Sequence, residues 1–184
     1  AEGTVYDIML LPGLLLIFYP CTYGIQNDAD ARMLEILFGI PDYRFKIWLV
    51  RFFIIWVLTF LNVIIFTVIA TILLAPVEIV DLSVQLMFPV SLFGTLGFWL
   101  STLVRNGNGT AVTLVIIGLL AFFKQGLTFE TYWNIYFNTY DVPFWQNEML
   151  WQSLTVKNRI FLVSVSVLAL LGSLLGLQKR EKFL

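Results

Sequence analysis

The sequence predicts an all-α, polytopic membrane protein that forms a single domain over residues 1–184. Of the 184 residues, 59% are hydrophobic and 12% are charged, and the mean hydropathy is +0.87. Five long apolar stretches, separated by short charged or aromatic segments, make up nearly the whole chain. A soluble domain of this size could not bury so much apolar surface. A bilayer accepts it when each stretch forms a helix that satisfies its own backbone hydrogen bonds.

The five apolar stretches predict five transmembrane helices. They cover Ile8–Gln26, Phe52–Ala75, Leu82–Val104, Thr110–Phe123 and Ile160–Gln178. We expect Pro12 and Pro20 to interrupt the first helix. Lys124 interrupts the fourth stretch, so the fourth span is short or leaves the membrane obliquely. The second stretch carries no charge and would be about 36 Å long at 1.5 Å per residue, which is enough to cross a bilayer with some tilt.

The distribution of Lys and Arg predicts the orientation. With the N-terminus outside the cell, five spans place the C-terminus in the cytoplasm. The inner segments then hold eight of the 11 basic residues: Arg32, Arg44, Lys46, Arg51, Arg105, Lys179, Arg180 and Lys182. The outer segments hold Lys124, Lys157 and Arg159. Because basic residues concentrate in cytoplasmic segments, we expect a multi-pass protein of the cell membrane with its N-terminus outside.

The composition also disfavours several classes of function. The chain has no His and a single Cys, Cys21, so zinc sites, disulfides within the chain and His-based acid–base chemistry are not expected. No dense basic patch suggests nucleic acid as a partner. No paired carboxylates lie within the spans, which disfavours an intramembrane enzyme. No ionisable residue lies at mid-membrane, which argues against an ion-coupled carrier.

The predicted outer segment, residues 128–157, is rich in aromatic residues, among them Trp133, Trp145 and Trp151. Aromatic side chains with a polar edge prefer the headgroup level of a bilayer. We therefore expect short interfacial or re-entrant helices in this segment. One interpretation is an aromatic belt that holds the bundle in place. The other is an outer gate or lipid contact at the exit of a transport path.

The predicted cytoplasmic segment after the first span suggests a short amphipathic helix, residues 28–38, with Asn27 or Asp28 as its N-cap. Gly39 and Pro41 would stop it. Its apolar side would carry Met33, Leu34, Ile36 and Leu37, and its polar side Asp28, Asp30, Arg32 and Glu35. A membrane-surface anchor is one interpretation, although such anchors are usually longer and more basic. Docking of a cytoplasmic partner fits a short, mainly acidic helix better.

Polar residues within the spans are sparse. Asn62 lies in the second span, and Ser91 and Thr95 lie in the third. The spacing of Ser91 and Thr95 allows close helix approach, so helix packing is one interpretation. The lining of a transport pathway is the alternative.

The cytoplasmic segment resembles that of ABC-2 type transporter permeases, the membrane subunits of one class of ATP-driven exporters. The matching features are Asp28-Ala29-Asp30, Glu35-Ile36-Leu37, Pro41 and Arg44-Phe45-Lys46. The ending, with Asn158-Arg159, a last span and Lys179-Arg180-Glu181-Lys182, is also similar to the family's C-terminus. The family's usual Gly-Thr before the Glu is absent. Its members usually have six spans, so the first would here be truncated, a separate chain or lost.

The resemblance implies a permease subunit that exports a substrate across the cell membrane. The apolar character of the spans suits an amphiphilic or lipid-like substrate. ATP and Mg²⁺ would be bound by a separate nucleotide-binding ATPase subunit, since the chain has no G-x-x-x-x-G-K-[ST] loop. Catalytic, cofactor-binding and metal-binding residues are accordingly not expected in this chain. The coupling helix would contact the ATPase through Asp30, Arg32, Met33, Leu34, Glu35 and Leu37.

The same resemblance implies three kinds of partner: the ATPase subunit, membrane lipid, and a second permease chain that forms a homodimer or a heterodimer. An alternative from a different class is a non-transporting membrane anchor or sensor subunit of a larger membrane complex. Co-purification of a cytoplasmic ATPase would separate the two.

Overall fold

Five long helices form the protein in a computed structural model, which describes residues 2–31, 33, 36–37, 39–40, 42–104, 106–125, 132–144 and 146–177. The helices are α1 (Glu2–Asp30), α2 (Val50–Leu73), α3 (Ile79–Val104), α4 (Gly107–Gln125) and α5 (Glu148–Gly176). A π-helical segment, Arg44–Leu49, leads into α2. No strand occurs in these described ranges.

Each of the five helices is long and apolar enough to cross a membrane. The predicted all-α fold with five membrane-spanning stretches is confirmed at this level. All five helices begin earlier than the predicted spans, most of all α5, which begins at Glu148 rather than at Ile160. α1 continues through Pro12 and Pro20, which were expected to interrupt it. Apolar helices in bundles tolerate proline because neighbouring groups satisfy the backbone carbonyls that a proline leaves free.

Contacts between the helix ends show that consecutive helices run antiparallel. At the end that we call the loop end, the Tyr43 hydroxyl donates to the carbonyl of Leu177, and the backbone N–H of Gly107 donates to the side chain of Gln26. At the opposite end, which we call the cap end, the Tyr6 hydroxyl lies 3.4 Å from the carbonyl oxygen of Phe137. The described chain therefore begins at the cap end of the bundle and ends at the loop end.

α3 occupies the centre of the bundle and contacts each of the other four helices. Leu86 and Val90 are fully buried on it. Polar side chains also join α3 to α2. The indole Nε1 of Trp56, near the beginning of α2, donates to Oγ of Ser91 in the middle of α3 at 2.6 Å. The other helices are more exposed, as expected for helices that face lipid with one side.

Aromatic stacking fixes the beginning of α2 against α3. The ring of Phe98 lies 6.3 Å from that of Trp48 and 5.8 Å from that of Phe52. Trp48 is 2% exposed, and the guanidinium carbon of Arg51 lies 5.1 Å from its ring centre. Offset aromatic pairs and cation–π contacts of this kind add to the free energy gained from burial. The π-helical segment is thus anchored to the central helix.

Candidate functional sites at the two ends of the bundle

The connection between α1 and α2 begins later than predicted. α1 continues to Asp30, so Asn27 and Asp28 lie in its last turn, and the predicted N-cap at these residues is wrong. A carboxylate is unfavourable beside the negative C-terminal end of a helix dipole. Asp28 is compensated by Arg51, whose Nη1 lies 2.5 Å from its Oδ2. This ion pair ties the end of α1 to the beginning of α2.

One helical turn is present within the connection. The backbone N–H of Leu37 donates to the carbonyl of Met33 at 2.9 Å, and residues 36–37 are helical. The predicted helix 28–38 is therefore divided, because its first three residues belong to α1. Arg32, Leu34 and Glu35, which the sequence analysis assigned to ATPase coupling, lie outside the described residues.

The apolar side chains of this turn differ in exposure. Ile36 is 70% exposed and Met33 is 47% exposed, and Asp30 at the end of α1 is also exposed. Leu37, which was expected to contact a partner together with Asp30 and Met33, is half-buried and packs against the core of the bundle. The turn thus presents Met33 and Ile36 at the loop end, while Leu37 holds it to the protein.

Hydrogen bonds connect the loop end to several helices at once. Tyr43 is 3% exposed and its hydroxyl bonds to the carbonyl of Leu177, directly after α5. The hydroxyl of Tyr23 on α1 donates to Oδ1 of Asn108 on α4 at 3.0 Å. A force on the connection between α1 and α2 would therefore reach α4 and α5 as well.

At the cap end, residues 132–144 form turns that we call the cap loop. The prediction of short helices in this aromatic segment is wrong for the cap loop, whereas residues 148–157 are helical as the first part of α5. The physical reason lies in two asparagines. Oδ1 of Asn134 accepts from the N–H of Tyr136, and Oδ1 of Asn138 accepts from the N–H of Tyr140, both at 3.0 Å. Such bonds satisfy the backbone in turns and compete with helix formation.

The cap loop is attached to three helices. Nδ2 of Asn138 donates to the carbonyl of Gly3 at 2.9 Å and to Oδ1 of Asp7 at 3.0 Å, both on α1. The Tyr136 hydroxyl donates to the carbonyl of Gly118 on α4 at 3.1 Å. The Tyr140 hydroxyl donates to Oδ2 of Asp81 on α3. These bonds hold the cap loop over one end of the bundle.

The predicted gate tryptophans occupy different environments. Trp133 is 56% exposed and its ring lies 6.1 Å from that of Phe161. Trp151 is 6% exposed, and its Nε1 donates to the carbonyl of Thr139 at 2.9 Å. Trp145 lies outside the described residues. Trp133 is therefore placed at the surface, where it could contact lipid, and Trp151 is placed in the protein interior.

A buried polar cluster near the cap end was missed by the sequence analysis. Arg159 on α5 is 7% exposed. Its Nε donates to Oε1 of Gln85 on α3 at 2.9 Å, and its Nη1 donates to Oδ1 of Asn158 at 3.0 Å. The fully buried Asn158 also donates from Nδ2 to the carbonyls of Tyr132 and Asn134, at 2.8 and 2.7 Å. The cluster thus joins α5 to α3 and to the cap loop.

In the described part of the chain, Arg159 has no carboxylate within 4 Å; the ion pair found there joins Arg51 and Asp28 instead. Its Nη2 is buried without a hydrogen-bond partner. Burying a cation without a carboxylate is costly, and neutral acceptors offset this cost in part. One signal pointed to this residue: Lys157 and Arg159 stand in a predicted outer segment, against the usual distribution of basic residues.

The polar residues predicted for a pathway or for packing lie within α2 and α3. Nδ2 of Asn62 donates to the carbonyl of Leu58 on its own helix at 2.8 Å. Ser91 accepts from Trp56, as described above, and the buried Thr95 donates to the carbonyl of Ser91 at 3.0 Å. These contacts favour helix packing, and a pathway role stays a prediction.

No protein-family model, curated protein or solved structure matches this chain. In the described ranges, no group of three or more His, Cys, Asp and Glu side chains could hold a metal ion.

Proposed function

We propose that this chain is the transmembrane permease subunit of an ATP-driven exporter, with ATP and Mg²⁺ bound by a separate ATPase subunit. The substrate would be an amphiphilic or lipid-like molecule, and a second permease chain would complete the transporter. The observation that carries the proposal is the helical turn between α1 and α2, which presents the exposed side chains of Met33 and Ile36. Exposed apolar side chains on a short helical turn suit insertion into an apolar groove of a partner protein.

The contacts around this turn support its role in transmitting motion. The ion pair of Asp28 with Arg51 joins the two helices on either side of it, and Leu37 packs it against the bundle. Docked to an ATPase, the turn would shift α1 and α2 together. ATP binding would then supply the difference in binding free energy between two arrangements of the helices, which is what any ligand-driven transition requires.

A pull-down of the ATPase tests the proposal. Ile36→Asp places a charge on the more exposed of the two exposed apolar side chains described in the turn. Because a few such anchors carry most of an interface's binding free energy, the loss should be about 2 kcal/mol or more. Leu34→Asp, at a neighbouring position of the same segment, should act likewise. Val142→Asp is the matched control, because Val142 is also an exposed apolar residue but lies on the cap loop.

The expected result is normal insertion of all variants, with loss of the ATPase and of transport-coupled ATP hydrolysis in Ile36→Asp and Leu34→Asp alone. Full retention of the ATPase by both variants would show that this turn is a surface anchor. Absence of any co-purifying ATPase from the wild-type chain would favour the alternative of a non-transporting anchor or sensor subunit.

The proposed orientation is tested independently by cysteine labelling. Glu2 at the cap end and Asn108 at the loop end are both exposed, whereas the native Cys21 is 3% exposed. A membrane-impermeant maleimide should label Glu2→Cys in intact cells and should label Asn108→Cys only after the membrane is opened. The reverse pattern would place the proposed docking turn outside the cell and rule out its contact with an ATPase.

A further inference from the structure

An apolar cleft lies between α1 and α4 near the cap end. Its volume is about 840 Å³. Its walls include Leu11 and Leu15 of α1 and Val115 and Leu119 of α4, and Phe93 of the central helix forms part of its lining. The exposed fractions of Leu11 and Leu15, 63% and 61%, show that the cleft opens sideways from the bundle. In a membrane, that opening would face lipid.

The cleft is about as long as one half of a bilayer is thick. On α1 its lining runs from Asp7 to Phe18, which is about 17 Å at 1.5 Å per residue. On α4 it runs from Leu114 to Phe123, which is about 14 Å. The hydrocarbon core of a bilayer is about 30 Å thick. The cleft therefore matches the length that an acyl chain of one leaflet occupies.

Toward the loop end, α1 and α4 close upon each other. A Cβ atom at Gly107 of α4 would lie 2.4 Å from the ring of Tyr23, and the Tyr23 hydroxyl bonds to Asn108. A transmembrane helix from a second copy of the chain could not enter along the full length of such a wedge. A single flexible chain can fill its open half, so the shape favours an acyl chain as the occupant.

The cap end of the cleft is polar. Asp7 is the one charged residue among its lining residues, and it accepts a hydrogen bond from Asn138 at 3.0 Å. No Lys or Arg of the described chain lies within ion-pair distance of Asp7. The hydroxyl of Tyr136, also in the lining, donates a hydrogen bond to the carbonyl of Gly118. The mouth of the cleft thus offers an unpaired carboxylate, which is complementary to a cationic headgroup and repels an anionic one.

We propose that this cleft binds a lipid with an amine headgroup, with one acyl chain between α1 and α4 and the ammonium group at Asp7. The site stands apart from the proposed ATPase docking, because it is at the other end of the bundle and binding needs no ATP. If the chain is an exporter permease, the cleft also indicates the chemical class of amphiphile that it handles.

Native mass spectrometry of the purified chain with defined lipids tests this proposal. The probes are phosphatidylethanolamine and phosphatidylglycerol with identical acyl chains. We expect one phosphatidylethanolamine retained per chain, and at least about fivefold weaker retention of phosphatidylglycerol, which corresponds to roughly 1 kcal/mol. Asp7→Asn should lower the retention of phosphatidylethanolamine to that of phosphatidylglycerol. Glu2→Gln is the matched control, a carboxylate of the same helix that lies outside the cleft lining.

Two adjacent residues of α4 separate the cleft from the general lipid-facing surface. Val115 lines the cleft and is 48% exposed, and Ile116 is 51% exposed but does not line it. Val115→Trp should reduce retention of both lipids, whereas Ile116→Trp should leave it unchanged. Leu119→Trp is a second variant that fills the cleft. Thermal unfolding of each variant shows whether it is folded, and lipid retention is compared only among folded variants.

Unchanged retention in folded Val115→Trp and Leu119→Trp proteins would overturn the proposed site. Equal retention of the two lipids by the wild-type chain, unaffected by Asp7→Asn, would overturn the assignment of an amine headgroup. A change from dimer to monomer in Val115→Trp without a change in bound lipid would show that a second copy occupies the cleft instead. None of these outcomes affects ATPase docking at Ile36, so the two proposals fail separately.

Discussion

Arg159 and Gln85 form a hydrogen bond of 2.9 Å between α5 and α3, in which the guanidinium Nε donates to the amide oxygen. The guanidinium is buried, and the ring centre of Phe88 lies 5.1 Å from its central carbon. A buried cation that relies on neutral partners depends strongly on each of them. The role of Gln85 is therefore to accept a hydrogen bond from the buried guanidinium of Arg159 and so to offset the cost of burying that charge.

The pair can be tested by a double-mutant cycle. Gln85→Leu leaves the Nε–H of a buried cation without an acceptor, so it should lower the free energy of unfolding by about 1–3 kcal/mol. Arg159→Met removes the charge itself and should cost less, because an apolar residue of similar length suits a buried site. The double variant should be more stable than Gln85→Leu alone. Denaturant unfolding in detergent measures this, and a neutral effect of Gln85→Leu would contradict the dependence.

Gly94 is a position of close approach between α3 and α1. A Cβ atom there would lie 2.4 Å from Cδ1 and 2.9 Å from Cγ1 of Ile17, which is fully buried. Gly94→Ala should therefore destabilise the protein by about 1–3 kcal/mol through overpacking, despite the better helix propensity of alanine. Gly24→Ala is the control, because a Cβ at Gly24 meets nothing within 4 Å.

The same thermal unfolding experiment offers a rescue. Ile17→Val removes the Cδ1 atom that a Cβ at Gly94 would strike, so adding it to Gly94→Ala should restore part of the lost stability. If Gly94→Ala is as stable as Gly24→Ala, the two helices are not packed as closely as the structure places them.

The five helices could be predicted because hydropathy alone requires them, and each predicted span lies wholly or almost wholly within an observed helix. Their ends could not be predicted equally well. The first part of α5 could not be recognised from hydropathy, because Glu148, Gln152 and Lys157 interrupt the apolar pattern although the helix continues through them. The cap loop was mistaken for helix because its aromatic content suggested an interface, whereas the side chains of Asn134 and Asn138 determine its turns.

The candidate sites were harder to predict than the helices, since they depend on contacts between distant residues. Nothing local in the sequence distinguishes Ile36, which is exposed, from Leu37, which packs on the bundle. Gln85 lies in the predicted third span, whereas Arg159 lies just before the predicted fifth. No pattern in either segment indicates that the two side chains meet. Periodicity describes which side of one helix is apolar, but it does not identify the helix that this side contacts.

Asp42 adopts a left-handed backbone conformation, with φ of 56°, at the entrance to the π-helical segment. Its carbonyl accepts from the N–H groups of Phe45 and Lys46, at 3.0 and 3.1 Å. Asp tolerates this conformation better than most residues, while a β-branched residue is strained in it. Asp42→Val should therefore cost about 1–2 kcal/mol, and Asp42→Gly should be neutral or stabilising.

The side chain of Asp42 is exposed, so lost packing does not complicate the comparison. Asp141→Val is the control, since Asp141 is also an exposed loop residue but has no positive φ. Thermal unfolding of the three variants measures the effect. Equal stability of Asp42→Val and Asp42→Gly would show that the left-handed conformation is not required there.

The cap loop should lose its attachment at alkaline pH. Burial, followed by the hydrogen bond to Asp81 and the charge of that residue, raises the pKa of Tyr140, and burial raises the pKa of Tyr136 to about 12. The folded state thus favours the protonated phenols, whereas an unfolded tyrosine titrates near pH 10. Their contribution to stability is complete below about pH 10 and is lost as the pH rises through the folded pKa values, because the unfolded chain then binds fewer protons.

We therefore expect a nearly constant unfolding midpoint between about pH 8 and 9 and a decline from about pH 10 to 12. Other groups also titrate in this range, so the informative quantity is the slope of each variant relative to the wild type. Tyr140→Phe and Tyr136→Phe should each flatten the decline, even though each also loses a hydrogen bond at neutral pH. Asp81→Asn should make the ionisation of Tyr140 easier by removing the neighbouring carboxylate. Slopes identical to the wild type in all three variants would mean that neither phenol is held in its protonated form by the fold.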